Sequence, residues 1–158
     1  LYFGLMLTPN GPKVIEYNCR FGDPETQVVL PLLETDFVDI IKAIHAGALD
    51  QLDIQWKKGC VACVIMASGG YPKKYATGLP ISGLNEKGQL DSAFVYHAGT
   101  RYENGTFLTA GGRVLGVTVA GDTLQQALDG AYAAVEQIRF EGAHYRKDIG
   151  QRALACGK

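Results

Sequence analysis

The chain has 158 residues, 47% of them hydrophobic and 20% charged, with a formal net charge of −1. That length suits one domain or one and a half small ones, and the composition is that of a globular protein rather than a disordered one. It carries neither a basic footprint for nucleic acid nor a charge that would draw it to an anionic membrane, and no apolar run approaches a membrane span.

Residues 1–7 read as a strand, too short and without the basic lead of a signal peptide. Thr8-Pro9-Asn10-Gly11-Pro12 is a turn cluster. Residues 13–18 alternate as a half-buried strand does and pair back as a hairpin. Glu16 and Asn18 then share a face, and Arg20 joins them if the strand persists. A carboxylate, an amide oxygen and a guanidinium on one face suit a hard cation and an anionic group. Mg²⁺ takes a few oxygen ligands plus phosphate oxygens, and arginine grips carboxylate or phosphate with two donors. The same spacing also fits a polar strand end facing solvent.

From Pro24 the pattern turns helical, with Asp23 placed as N-cap and Glu25 in the first turn. Val28, Val29, Leu32 and Leu33 follow, and Pro31 keeps the helix short. Thr35 or Asp36 caps a second helix with Phe37, Ile40, Ile41 and Ile44 on one face, ended by Gly47. Residues 50–59 form a plausible boundary. Beyond it, residues 60–68, 94–100, 106–109 and 113–120 read as strands, with an Asn104-Gly105 hairpin signal. Asp122 is placed as the cap of a helix to about Arg139, with Leu124, Ala127, Leu128, Ala131, Val135 and Ile138 as its apolar face. The expected fold is α+β: the helical end of one domain, then a small antiparallel sheet with one covering helix.

Four cysteines are present. Cys60 and Cys63 lie three apart in a strand-like run and so face opposite sides, which favours core packing over a redox or zinc pair. Cys19 lies beside Glu16 and Asn18, and Cys156 lies in the tail. Nothing suggests a disulfide framework, which points to a reducing cytoplasm.

The Glu16-x-Asn18-x-Arg20 strand resembles the metal-binding strand of the ATP-grasp superfamily. The longer run from Gly11 through Arg20-Phe21-Gly22-Asp23-Pro24-Glu25-Thr26-Gln27 resembles the glycinamide ribonucleotide synthetases (phosphoribosylamine–glycine ligases). Gly69-Gly70-Tyr71-Pro72, His97-Ala98-Gly99-Thr100, Gly111-Gly112-Arg113-Val114-Leu115 and Tyr145-Arg146-Lys147-Asp148-Ile149-Gly150 look like that family's C-terminal motifs, in its order.

The resemblance implies the C-terminal part of a longer ligase. Residues 1–56 would end its ATP-grasp domain and carry the metal-site strand, and residues 57–158 would form its C-terminal domain. The nucleotide phosphate loop and the missing N-terminal part of the same enzyme would lie upstream, so this chain alone would be inactive. The implied reaction joins glycine to 5-phosphoribosylamine through a glycyl phosphate, with ATP as co-substrate and Mg²⁺ or Mn²⁺ as cofactor. Glu16 and Asn18 match the metal ligands, and Arg20 matches the residue that holds the acyl phosphate or the glycine carboxylate. Asp23 would bind an amine, although an ordinary N-cap explains it equally well. Arg113, after two glycines, resembles an arginine that holds a ribose 5-phosphate; a surface arginine after a bulge is the alternative. His97 reads as a buried, hydrogen-bonded histidine rather than a general base. Two competing readings remain: a different ATP-grasp ligase or carboxylase, and a non-catalytic structural or interaction module.

Overall fold

The computed structural model describes residues 1–156. The last two residues of the second expected domain lie outside the described residues. Two strands, β1 (Tyr2–Thr8) and β2 (Gly11–Asn18), form an antiparallel hairpin. Gly11 sits at φ +87°, a left-handed value that glycine takes at little cost. Gly4 pairs with Glu16 and Leu5 with Val14, so Ile15 is an extra residue on β2, a bulge.

The expected first helix starts later than the sequence suggests. The helix α1 spans Thr26–Val29 and runs into a 3₁₀ turn at Leu30–Leu32 that contains Pro31. Asp23 is not its N-cap. Both the backbone N–H and the hydroxyl of Thr26 are bonded to the carbonyl of Gly22, while the Asp23 carboxylate is engaged elsewhere. The next helix, α2 (Phe37–His45), is capped by Asp36, whose carboxylate accepts from the N–H of Val38 at 2.7 Å. Its apolar face is not buried: Ile41 and Ile44 are both more than half exposed.

The core lies in the second half. Strands β3 (Cys60–Ala67), β4 (Pro80–Ile81), β5 (Phe94–His97), β6 (Thr100–Glu103), β7 (Thr106–Thr109) and β8 (Arg113–Gly121) make two antiparallel sheets, ordered β3-β8-β5 and β4-β7-β6. Alternate residues Ala62, Val64 and Met66 of β3 are buried on one face, with Val64 opposite Val117 of β8. The helix α3 (Leu124–Val135) covers that face through Ala127, Leu128, Ala131, Ala134 and Val135, three and four residues apart. The opposite face receives α1.

Three expectations need correction here. The single strand expected over 94–100 splits between two sheets. At the split, a Cβ on Gly99 would lie 2.6 Å from both the Arg113 carbonyl and the Gly111 Cα, so only glycine lets the backbones cross. The cap of α3 is Thr123 rather than Asp122. Its hydroxyl accepts from the Gln126 N–H, while the Gln126 side chain accepts from the N–H groups of Asp122 and Thr123. The helix also ends at Val135, and Arg139 leaves it to bridge with Ser82, although Ile138 is buried as its spacing implied. The Asn104-Gly105 turn forms as expected, at φ 49° and 80°, joining β6 to β7. A short helix, α4 (Gln151–Cys156), was not foreseen. No helix among the described residues is long and apolar enough to cross a membrane.

Candidate functional site

The hairpin puts Glu16 and Asn18 on one face, as the two-residue period requires: the Asn18 amide donates to Glu16 Oε1 at 3.2 Å. Glu16 lies over Gly4, where a Cβ would meet its Cγ at 3.0 Å. Glycine at that position leaves the carboxylate room beside the opposing strand. Arg20 lies beyond the end of β2, and its guanidinium donates to the neighbouring Phe21 carbonyl at 2.7 Å. Its hydrogen bonding therefore does not join it to Glu16 or Asn18. Glu25 folds its carboxylate back over Gly22, so that any Cβ there would collide with it. The Tyr2 hydroxyl is raised above the ordinary phenol range, first by burial, then by the negative charge of Glu25 and Glu16. Both carboxylates thus border the first strand.

Asp23 and Arg113 are brought together across 90 residues. One Arg113 nitrogen donates to the Asp23 backbone carbonyl and another to Asp23 Oδ2, each at 2.9 Å. The remaining carboxylate oxygen accepts from the Gln27 amide at 2.9 Å. Gln27 was not foreseen as part of this cluster; its place one helical turn beyond Asp23 was the available signal. The Gln27 Oε1 is buried and has no hydrogen-bond partner.

The two glycines before Arg113 serve internal packing. Gly111 abuts the backbone of Gly99, and Gly112 lies under the Tyr71 ring, where any Cβ would collide with Cδ2. Ser68 ties the turn down through its N–H to the Gly112 carbonyl and its hydroxyl to the Gly111 carbonyl, both at 2.8 Å. Arg113 itself borders a cleft of about 220 Å³ shared with Pro24, Tyr71, His144 and Arg146. Of these, Tyr71 and Arg146 lie within motifs already noted, whereas His144 carried no sequence signal. Arg146 is held by Asp148 through two bonds, at 2.9 and 2.7 Å.

His97 is exposed rather than buried, but both ring nitrogens are occupied, by the Thr100 hydroxyl and the Gly88 carbonyl, each at 2.9 Å. That arrangement fixes the ring and leaves no nitrogen free to act as a base. Cys60 packs at the edge of the core, while Cys63 lies on the opposite face beside Gly116 and α1. Burial pushes the Cys63 thiol above its ordinary range.

Residues 61–152 match the phosphoribosylglycinamide synthetase C domain, and residues 1–26 match the phosphoribosylglycinamide synthetase ATP-grasp (A) domain. The chain belongs to the phosphoribosylglycinamide synthetase family. It is 53% identical over 149 residues to a phosphoribosylamine–glycine ligase of Caldanaerobacter subterraneus subsp. tengcongensis, covering 94% of this chain and 35% of that protein. It is 49% identical over 156 residues to the human trifunctional purine biosynthetic protein adenosine-3, covering 98% of this chain and 15% of that one. The crystal structure of a Thermotoga maritima phosphoribosylamine–glycine ligase superposes with a TM-score of 0.77 at 34% identity, over 92% of this chain and 35% of that one. The chain therefore spans about a third of the length of the ligases it matches. The Asp23–Arg113 pair joins the segment matched to one family domain to the segment matched to the other.

Proposed function

We propose that this chain supplies the metal-binding strand and the C-terminal domain of an ATP-dependent ligase that joins glycine to 5-phosphoribosylamine in purine biosynthesis. The products are glycinamide ribonucleotide, ADP and phosphate. Residues 1–56 would close the ATP-grasp domain and residues 57–158 form the C-terminal domain, working in the cytoplasm. The observation that carries this reading is the convergence of Asp23 and Arg113, from the two family-matched segments, at one place.

The glycine carboxylate attacks the γ-phosphorus of ATP and ADP leaves; the amine of phosphoribosylamine then attacks the glycyl carbonyl and phosphate leaves. Negative charge crowds at the first step, so the site needs cationic and hydrogen-bonding groups around it. Glu16 and Asn18 fit a divalent ion. Their head groups already lie within hydrogen-bond reach of each other, and a carboxylate with one neutral oxygen suits a metal that takes its other ligands from phosphate and water. Magnesium or manganese there would offset phosphate charge. Arg20, close to that strand, would hold the acyl phosphate or the glycine carboxylate. Arg113 would take the 5-phosphate of phosphoribosylamine, and Asp23 would accept a hydrogen bond from a substrate amine.

The remainder of the same enzyme is the partner that this reading requires. Only 26 residues match the ATP-grasp domain, and the hairpin they form exposes Leu5, Val14, Ile15 and Tyr17. A two-stranded sheet with exposed apolar side chains calls for further strands or helices against it. The test is made in a full-length ligase carrying this segment. Glu16→Ala should lower ADP release that depends on glycine and phosphoribosylamine by roughly a hundredfold or more, as expected when a group stabilising the transferred phosphoryl is lost. Wild-type turnover at limiting Mg²⁺ would rule the reading out.

A further inference from the structure

Arg113 is assigned a phosphate and Asp23 an amine, yet here each is spent on the other. Arg113 offers one guanidinium nitrogen to the Asp23 carbonyl and one to Oδ2, the two-pronged arrangement with which arginine grips a phosphate. The pair is not sealed away, since the two side chains are 39% and 52% exposed. Arg113 also lines the cleft that it shares with Pro24, Tyr71 and His144, so an anion entering that cleft meets Arg113.

We propose that Asp23 occupies the phosphate-binding donors of Arg113 as an internal stand-in, and that the substrate's phosphate must displace it, releasing Oδ2 to receive the substrate's amine. The inference rests on the assignment of Arg113 to phosphate and Asp23 to amine. A dianionic phosphate can compete with a single carboxylate for the guanidinium; an unphosphorylated ribosylamine cannot. Asp23 is thereby a specificity-determining residue, because its amine-binding oxygen is released from Arg113 only by a ligand that brings a phosphate. Gln27 keeps the exchange local. Its amide holds Oδ1, so the carboxylate stays in place when Arg113 turns away. No bond is made or broken covalently, and one ion pair replaces another.

Displacement has a signature opposite in sign to that of ordinary binding. Ribose 5-phosphate is a suitable probe, since it carries the phosphate and lacks the amine. In the full-length ligase, calorimetric titration should show Asp23→Ala and the isosteric Asp23→Asn binding ribose 5-phosphate at least threefold more tightly than wild type. The same variants should use phosphoribosylamine less well, because the amine contact is gone. Unchanged melting temperature in Asp23→Asn guards against a folding artefact. Equal or weaker ribose 5-phosphate binding in both variants overturns the exchange. Arg113→Ala, made in the Asp23→Asn background, separates the two claims. If it abolishes binding, the phosphate assignment stands whatever Asp23 does; if it leaves binding intact, that assignment fails and the exchange fails with it.

Discussion

Arg113 donates to both the backbone carbonyl and the carboxylate of Asp23, tying the start of β8 to the turn before α1. Half-exposed ion pairs of this kind contribute about 0–1 kcal/mol to stability, little against the buried core under α3. Stability does not account for the use of a glycine-flanked arginine there. The donors that take the Asp23 carboxylate are those that would take a phosphate, and the variants below test that proposal.

Arg113→Ala in a full-length ligase should weaken use of phosphoribosylamine far more than use of ATP or glycine. Loss of one charge-assisted contact costs about 1.5–3 kcal/mol, or roughly one to two powers of ten in apparent affinity. Arg113→Lys should recover only part of this, because an ammonium has no planar fork. Steady-state KM values for all three substrates decide it. A rise confined to ATP would move Arg113 to the nucleotide side.

What was legible in the sequence was local. The β1–β2 hairpin, the shared face of Glu16 and Asn18, the Asn104-Gly105 turn and the apolar face of α3 depend on residues a few positions apart, and each formed as read. Two of the misreadings came from distant contacts, whereas the shift of the α3 cap from Asp122 to Thr123 is local. Asp23 looked like an N-cap because its neighbours Pro24 and Glu25 suit a helix start, but a guanidinium 90 residues away takes its carboxylate. The strand expected over 94–100 breaks because the Gly111 backbone presses on Gly99. The helix α2 forms where its pattern places it, yet a pattern marks which face is apolar and not whether that face is covered within this chain.

Gly99→Ala should destabilise the fold. The added methyl would lie 2.6 Å from the Gly111 Cα and from the Arg113 carbonyl oxygen, both backbone atoms, so no rotamer change relieves it. Overpacking of this kind costs about 1–3 kcal/mol. The midpoint of urea unfolding should fall with little change in slope. An unchanged midpoint would mean that the Gly99–Gly111 crossing is looser than described.

Thr123→Ala removes the hydroxyl that accepts from the Gln126 N–H and so breaks one half of the capping box of α3. A loss of about 1 kcal/mol is expected. Asp122→Ala should cost much less, since Asp122 enters the cap through its backbone N–H alone. Equal losses in the two variants, measured by thermal unfolding, would return the cap to Asp122.

The thiols should separate by reactivity. Cys19 is exposed, whereas burial raises the Cys63 thiol and so lowers its thiolate fraction near neutral pH. Alkylation followed by peptide mass spectrometry at pH 8 should therefore modify Cys19 at least roughly tenfold faster than Cys63. Comparable rates would place Cys63 on an open surface, which would also undo the packing of α1 against the sheet.

Asp148 offers a pH-dependent check on the rim of the Arg113 cleft. The bidentate Arg146 guanidinium holds the Asp148 carboxyl below the usual carboxylate range, first by hydrogen bonding and then, after a smaller opposing effect of burial, by charge. A depressed carboxylate pKa means that the pair contributes fully above the unfolded value of 3.8 and loses its contribution as pH falls through the lower folded value. Both groups are exposed, so the useful readout is the titration itself rather than the melting temperature. Carboxyl NMR should show Asp148 titrating below the ordinary carboxylate range, and Arg146→Gln should move it back up toward that range. Arg146 also borders the cleft, so releasing it from Asp148 makes its guanidinium available to an anion there. Asp148→Asn should accordingly strengthen ribose 5-phosphate binding if Arg146 reaches the ligand, and leave it unchanged if Arg113 acts alone.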